Sequence, residues 1–267
     1  MQELQFEVGA VPPDLESGLG RLEMRLAEAE RSLKTAAQEL RRAREACRVG
    51  NLRDLPKTLA AAASAAQTHA ACAGDMAGSW SLGASDHLAS GRYLAEVADA
   101  AAGAGVKGVR EVDGKLYSFP YIVRVEPREL TVRIGKRRHR GLRPSHLAQL
   151  LKAAQSKPAK DNLGSVLHAV ERAYLALVQR ELGKAIPLVE IHALLTLMPG
   201  AGRDYTLDDL VMDMYRLDLD GPHLTRSGLR MDLPASTSAR GGKGIRFVTR
   251  DGEEKLYSTV RFQAVAR

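Results

Sequence analysis

Aromatic residues are scarce in this chain: four Phe, seven Tyr and one Trp among 267 positions. That scarcity argues against a single-strand nucleic-acid binder of the stacking type, which needs ring platforms under successive bases. Cys47 and Cys72 are too few for a disulfide framework, and no CxxC or Cys/His pair has zinc-ligand spacing. Both are read as reduced helix residues. No apolar run approaches the length of a membrane span, and Met1-Gln2-Glu3-Leu4 lacks the basic and apolar regions of a signal peptide. The expected location is the cytoplasm, with no membrane partner. No Ser/His/Asp or Cys/His arrangement is identifiable from spacing, so no catalytic residue is nominated.

What the sequence does have is concentrated charge. Residues 107–160 carry 14 Lys/Arg against 4 Asp/Glu, while the whole chain is only +7. The centre of that window, Arg133 to Arg143, holds six cations (Arg133, Lys136, Arg137, Arg138, Arg140 and Arg143) and no acid. Such a field attracts polyanions, and neutralising phosphates releases condensed counterions. The plainer alternative is a solvated loop that keeps the protein soluble. Other segments are acidic: residues 204–223 hold one cation and six acids. The chain is a patchwork of acidic and basic modules, read as three: 1–78, 79–183 and 184–267.

The first module repeats apolar residues in steps of four and three: Leu15, Leu19, Leu22, Leu26, Ala29, Leu33, Ala36, Leu40, Ala43 and Cys47. This predicts a coiled-coil seam with one leucine row and one row that turns to alanine. Gly50-Asn51 ends the helix, and Asp54 with Pro56 opens a second, alanine-rich one. Leu55, Leu59, Ala62, Ala66, Ala70 and Ala73 are expected to face the alanine row in an antiparallel hairpin. The leucines Leu15, Leu19, Leu22, Leu26, Leu33 and Leu40 are then candidates for a protein partner or a homodimer.

In the second module a helix is expected over 85–102. Val109–Val112, the turn Asp113-Gly114 and Lys115–Val125 read as a hairpin, with Pro120 marking an edge or bulge. In Leu130–Ile134 the alternation places Leu130, Val132 and Ile134 inward and Thr131 and Arg133 outward. The basic run is then a loop between this strand and a helix from Pro144, whose N-terminus adds an anion preference. His139 and His146 are read as polar loop residues.

The third module pairs short helices with strands. Ile191-His192-Ala193-Leu194-Leu195, Leu207–Leu217 with Gly221, and the hairpin over 244–262 together resemble a winged helix. The resemblance covers about a third of the chain and implies DNA contact or protein interaction. The helix in the recognition position carries Asp208, Asp209 and Asp213, which repel phosphate. Any contact from this module is therefore expected from the wing residues Arg240, Lys243, Arg246 and Arg250.

Three further patterns fall short of a chemical site. The stretch from Ser236 to Gly244 lacks the spacing of a phosphate loop and precedes a strand. Asp218, Asp220 and His223 fit a helix-exit turn better than a metal site. Glu253 and Lys255 match the acid-x-Lys of a metal nuclease, but no preceding Asp is convincing.

The expected fold class is α+β, mostly helical, with an N-terminal antiparallel coiled-coil hairpin, a small central sheet with helices and a winged-helix-like C-terminal domain. The expected function is a non-catalytic, cofactor-free DNA-binding accessory subunit of a larger bacterial complex, with duplex DNA favoured. The alternatives are a coiled-coil adaptor of an ATPase or SMC-like machine, and a metal-dependent nuclease. Genome maintenance or anti-phage defence suits the first two, with no motif behind it.

Overall fold

The computed structural model describes residues 14–77, 80, 82–156, 163–179, 181–234 and 244–264. Its backbone divides into two compact units, residues 1–87 and 88–267. The chain is a mostly helical α+β protein with antiparallel sheets. No helix among the described residues is long and apolar enough to cross a membrane.

The first unit is a helical hairpin, α1 (Leu15–Val49) packed along α2 (Leu55–Ala77). Asp14 caps α1 by accepting from the Ser17 N–H at 2.6 Å. At its other end Gly50 takes φ 69°, the left-handed conformation glycine adopts without steric cost. Asn51 and Asp54 are joined by reciprocal hydrogen bonds, which set the turn into α2.

On α1 the seam is the alanine row, as expected. Ala29, Ala36, Ala43 and Ala46 are buried, whereas Leu26, Leu33 and Leu40 are about half exposed. Across the interface Ser32 bonds to His69 at 3.1 Å. On α2 the expected Leu55, Ala62 and Ala73 are covered, together with Thr58, Ala65 and His69, whereas Leu59, Ala66 and Ala70 are exposed, contrary to the expectation. Small side chains allow the closest approach of two helices, and the alanine row of α1 therefore forms the interface while the leucines flank it.

A short helix, α3 (Ala84–Ala89), precedes α4 (Arg92–Gly103). The single helix expected over 85–102 is thus broken at Ser90-Gly91. The second unit is built on a five-stranded antiparallel meander: β1 (Arg110–Val112), β2 (Lys115–Ser118), β3 (Tyr121–Glu126), β4 (Thr131–Ile134) and β5 (Arg137–His139). Asp113 and Gly114 both have positive φ, as a two-residue hairpin turn requires. The stretch expected as one strand over 115–125 is two strands, joined through Phe119-Pro120. Part of the expected basic loop is strand β5, reached through Gly135 at φ 56°. A Cβ there would stand 2.8 Å from the Tyr121 ring, so the turn needs glycine.

The meander is covered on both faces. Val112, Tyr117 and Ile122 join the core formed with α6 (Leu163–Val178), α7 (Leu188–Leu195) and α9 (Leu207–Asp220). Leu116, Val123, Val132 and Ile134 are buried on the opposite face, where α4 runs beside β1 and β2 and packs on α5 (Pro144–Ser156). Double coverage explains why the outward places expected for Thr131 and Arg133 are wrong: every residue of β4 is buried. Leu130, expected inward, is 43% exposed and enters the strand at φ 48°.

The remaining elements are β6 (Ile186–Pro187), α8 (Ala201–Asp204), β7 (Leu229–Asp232), β8 (Ile245–Val248), β9 (Glu254–Tyr257) and β10 (Thr259–Ala264). A three-stranded sheet in the order β6-β10-β7 stands with α7, α8 and α9 in a winged-helix-like arrangement. Its core is continuous with that of the meander, so residues 88–267 form one unit. Helix α9 opens with a capping box in which Thr206 and Asp209 satisfy each other's backbone N–H groups. Leu210, Val211, Met212, Met214, Tyr215, Arg216 and Leu217 of α9 are all buried, which leaves it no reading face.

One row of cations crosses the meander on the side of α9. Arg124 stands opposite Arg133, and Arg133 opposite Arg138, with Lys115 continuing the row on β2. Adjacent like charges destabilise a sheet unless acids answer them. Asp208 lies 2.6 Å from Lys115 and 3.6 Å from Arg124, and Asp209 lies 3.0 Å from Arg124. Arg124 also donates to the Thr206 hydroxyl at 2.7 Å. Because these groups are largely buried, Arg124→Met leaves Asp209 without its cation in a poorly solvated site and Asp208 with Lys115 alone. It should cost about 2–3 kcal/mol and lower Tm by about 5–10 °C. The same change at exposed Arg138 should cost less than about 1 kcal/mol, and thermal unfolding of both variants measures the contrast.

Candidate nucleic-acid interface

Of the ten cations expected at the interface, the eight among the described residues are not brought to one place. Arg133 is turned into the protein, 8% exposed, and donates to the carbonyls of Arg203 at 2.5 Å and Asp204 at 3.2 Å. It also meets the Asp204 carboxylate at 3.3 Å, so it is a tie between β4 and α8 rather than a surface group. Arg138 is exposed but already paired with Glu126 at 3.0 Å and Glu129 at 3.4 Å.

Lys136, Arg137 and Arg140 remain. All three are exposed and make no ion pair among the described residues. They line the tip of the β4–β5 hairpin and the segment leading to α5. Arg143 lies on the same segment, half-buried and engaged. The segment is held in place by Tyr93, whose hydroxyl donates to the Leu142 carbonyl at 2.7 Å. Lys136 sits 5.8 Å from the centre of the Tyr205 ring, a cation–π contact that leaves the ammonium open to solvent. Tyr205 itself is fixed by donating to Asp213 at 3.0 Å.

Two histidines complete this surface. His139 on β5 is half-buried, and burial, the neighbouring His146 and Arg137 hold its imidazole below the ordinary histidine range. His146 lies on the first turn of α5, against Gly141, where a Cβ would meet its ring at 2.9 Å. The arrangement places the permanent charges of Lys136, Arg137 and Arg140 beside two imidazoles. It sits on the edge strand of the meander and at the N-terminal end of a helix, both of which present backbone N–H donors.

The described wing residues, Arg246 and Arg250, lie elsewhere. Arg246 is on β8, which runs beside β1 at the opposite edge of the meander. Five strands at about 4.8 Å spacing put the two edges about 19 Å apart. The β8–β9 hairpin is also tied back: Arg110 reaches Glu254 at 3.1 Å and the Gly252 carbonyl at 3.2 Å. Phe247 and Val248 are buried beneath it. Arg246 and Arg250 are nonetheless exposed, with Arg246 3.7 Å from Glu254. Arg240 and Lys243 lie outside the described residues, as does most of the stretch weighed as a phosphate loop.

Other clusters have structural partners. Glu171 is buried and accepts from Ser227, with His168 3.3 Å from its other oxygen. Both side chains bind the carboxylate and not each other, so no histidine activates the serine. A cleft of about 760 Å³ is lined by Lys107, Arg216 and Arg250 together with Asp220 and Asp251, opposite charges in one space. Among the described residues no group of three His, Cys, Asp or Glu stands close enough to hold a metal ion.

Comparison with protein families, curated proteins and solved structures yields no match. Three features of the basic surface escape the sequence reading: the Asp204 carboxylate and the carbonyls that engage Arg133, the Tyr205 ring beside Lys136, and the nearness of His146 to His139. Only the six-acid segment 204–223 hinted that some of the basic run is neutralised internally.

His139 generates a testable consequence. Its folded-state pKa is lowered from 6.5, so the unfolded chain takes up the proton first as pH falls. Stability is therefore lost as pH drops below about 6.5. His139→Gln, neutral throughout, should lose less Tm than the wild type between about pH 7.5 and 5.5, read by differential scanning fluorimetry.

Proposed function

We propose that this protein is a non-catalytic DNA-binding subunit that grips the phosphate backbone through Lys136, Arg137 and Arg140, with Arg143 beside them. One observation carries the reading. The chain's own acids answer Lys115, Arg124, Arg133 and Arg138, while Lys136, Arg137 and Arg140 stay exposed without acid partners among the described residues. Charged edge strands also guard sheets against edge-to-edge pairing. A single paired cation such as Arg138 would serve that purpose, and the surplus beyond it favours a polyanionic partner. Because α9 is enclosed, the contact reads backbone charge rather than base sequence. Arg246 and Arg250 form a secondary patch at the far edge of the meander.

An accessory role in a larger complex draws support from the exposed leucines of the helical hairpin. The adaptor reading, in which the hairpin docks a larger machine and the basic tip is incidental, rests on the same leucines. Replacing Lys136, Arg137 and Arg140 together by Glu separates the two. Duplex binding should weaken uniformly across sequences, and the slope of log K against log salt should fall by roughly two to three. Arg246→Ala with Arg250→Ala should change it less. An unaltered gel shift at two salt concentrations refutes the DNA reading and leaves the adaptor.

A further inference from the structure

We infer that the leucine face of the helical hairpin is a homodimer surface, on which a second copy packs antiparallel about a two-fold axis at Leu33. The inference is independent of the nucleic-acid reading. Leu26, Leu33 and Leu40 are 52%, 51% and 56% exposed, although they lie within a regular seven-residue repeat. Leu59 of α2 is 52% exposed as well. In an antiparallel pair of right-handed helices, the row beside Ala29, Ala36 and Ala43 and the row beside Ala62 emerge on the same side. Leu26, Leu33 and Leu40 therefore share one face with Leu59 and Ala66, a flat apolar strip rather than scattered single residues.

The strip's size and charge point to its own duplicate. Over the 23 residues of α2 it is about 35 Å long, and two helices wide it covers on the order of 700 Å². A stable dimer takes roughly 800 Å² from each partner. Residues 15–32 carry four acids and three cations, and residues 33–49 carry five cations and two acids. Parallel copies would set the basic halves together, whereas antiparallel copies set acidic against basic. With Leu33 on the axis, Leu26 of one copy meets Leu40 of the other, and Glu23 comes beside Arg44. Cys47, exposed on the same row, then meets the neighbourhood of Leu19 and stays far from its own equivalent.

The full chain at tens of micromolar should scatter light as twice 28.9 kDa. Leu33→Glu places two like charges on the axis and should give a monomer with helical circular dichroism retained, since the α1–α2 contact is the alanine row. Glu23→Arg should weaken dimerisation about tenfold, and adding Arg44→Glu should restore it. In a chain with both native cysteines replaced, Leu33→Cys should cross-link to itself with a short bis-maleimide. Leu26→Cys should do so only when mixed with Leu40→Cys. A monomeric wild type, a Leu33→Glu variant that stays dimeric, a failed charge swap, or ready cross-linking of native Cys47 to itself overturns the proposal. The last outcome would indicate parallel copies, and the first a different protein on the leucine face.

Discussion

The second unit depends on the match between a row of cations and the acidic opening turn of α9. Lys115, Arg124, Arg133 and Arg138 are neighbours across four strands, a placement that repels unless compensated. Asp208 and Asp209 compensate it from a position that the α9 dipole already favours, since carboxylates are stabilised at a helix N-terminus. Asp209 also closes the capping box, so one side chain orients the helix and binds the sheet. With α9 held there, its apolar residues meet Tyr117, Phe119 and Phe247, and the core of the meander runs into that of the winged-helix-like part. The same contact that joins these parts removes α9 as a reading helix.

The basic tip is what is left when this internal neutralisation is complete. Strand alternation points Arg133 and Arg138 to the α9 side and Arg137 and His139 to the other. Arg133 is consumed by α8 and Arg138 by Glu126 and Glu129, whereas Lys136 and Arg140 fall just outside the paired residues and stay in water. A turn that only glycine can make at Gly135 sets where the pairing stops.

The helical hairpin obeys a different constraint. Its two helices approach along alanines, and close approach leaves the bulkier leucines on the flank. The cost of that geometry is an apolar face in contact with water, which is a surface open to assembly.

Much of the architecture is legible in the residues themselves. The heptad spacing from Leu15, the Gly50-Asn51 stop, the Asp113-Gly114 turn and the Thr206 cap all specify local structure, because each acts within a few residues. The concentration of charge between Arg133 and Arg143 is likewise a property of sequence. What sequence could not decide is which row of the alanine-rich α2 completes the seam, since small side chains lie on several of its faces and packing chooses among them. Nor could it assign the inside of β4: alternation distinguishes two faces, but only tertiary packing, of α8 and α9 on one side and of α4 with α5 on the other, made both of them interior. Arg133 reads as surface until Asp204, some seventy residues later, is brought against it. Local patterns determined the elements and the total charge; long-range pairing decided which cations remain for a partner.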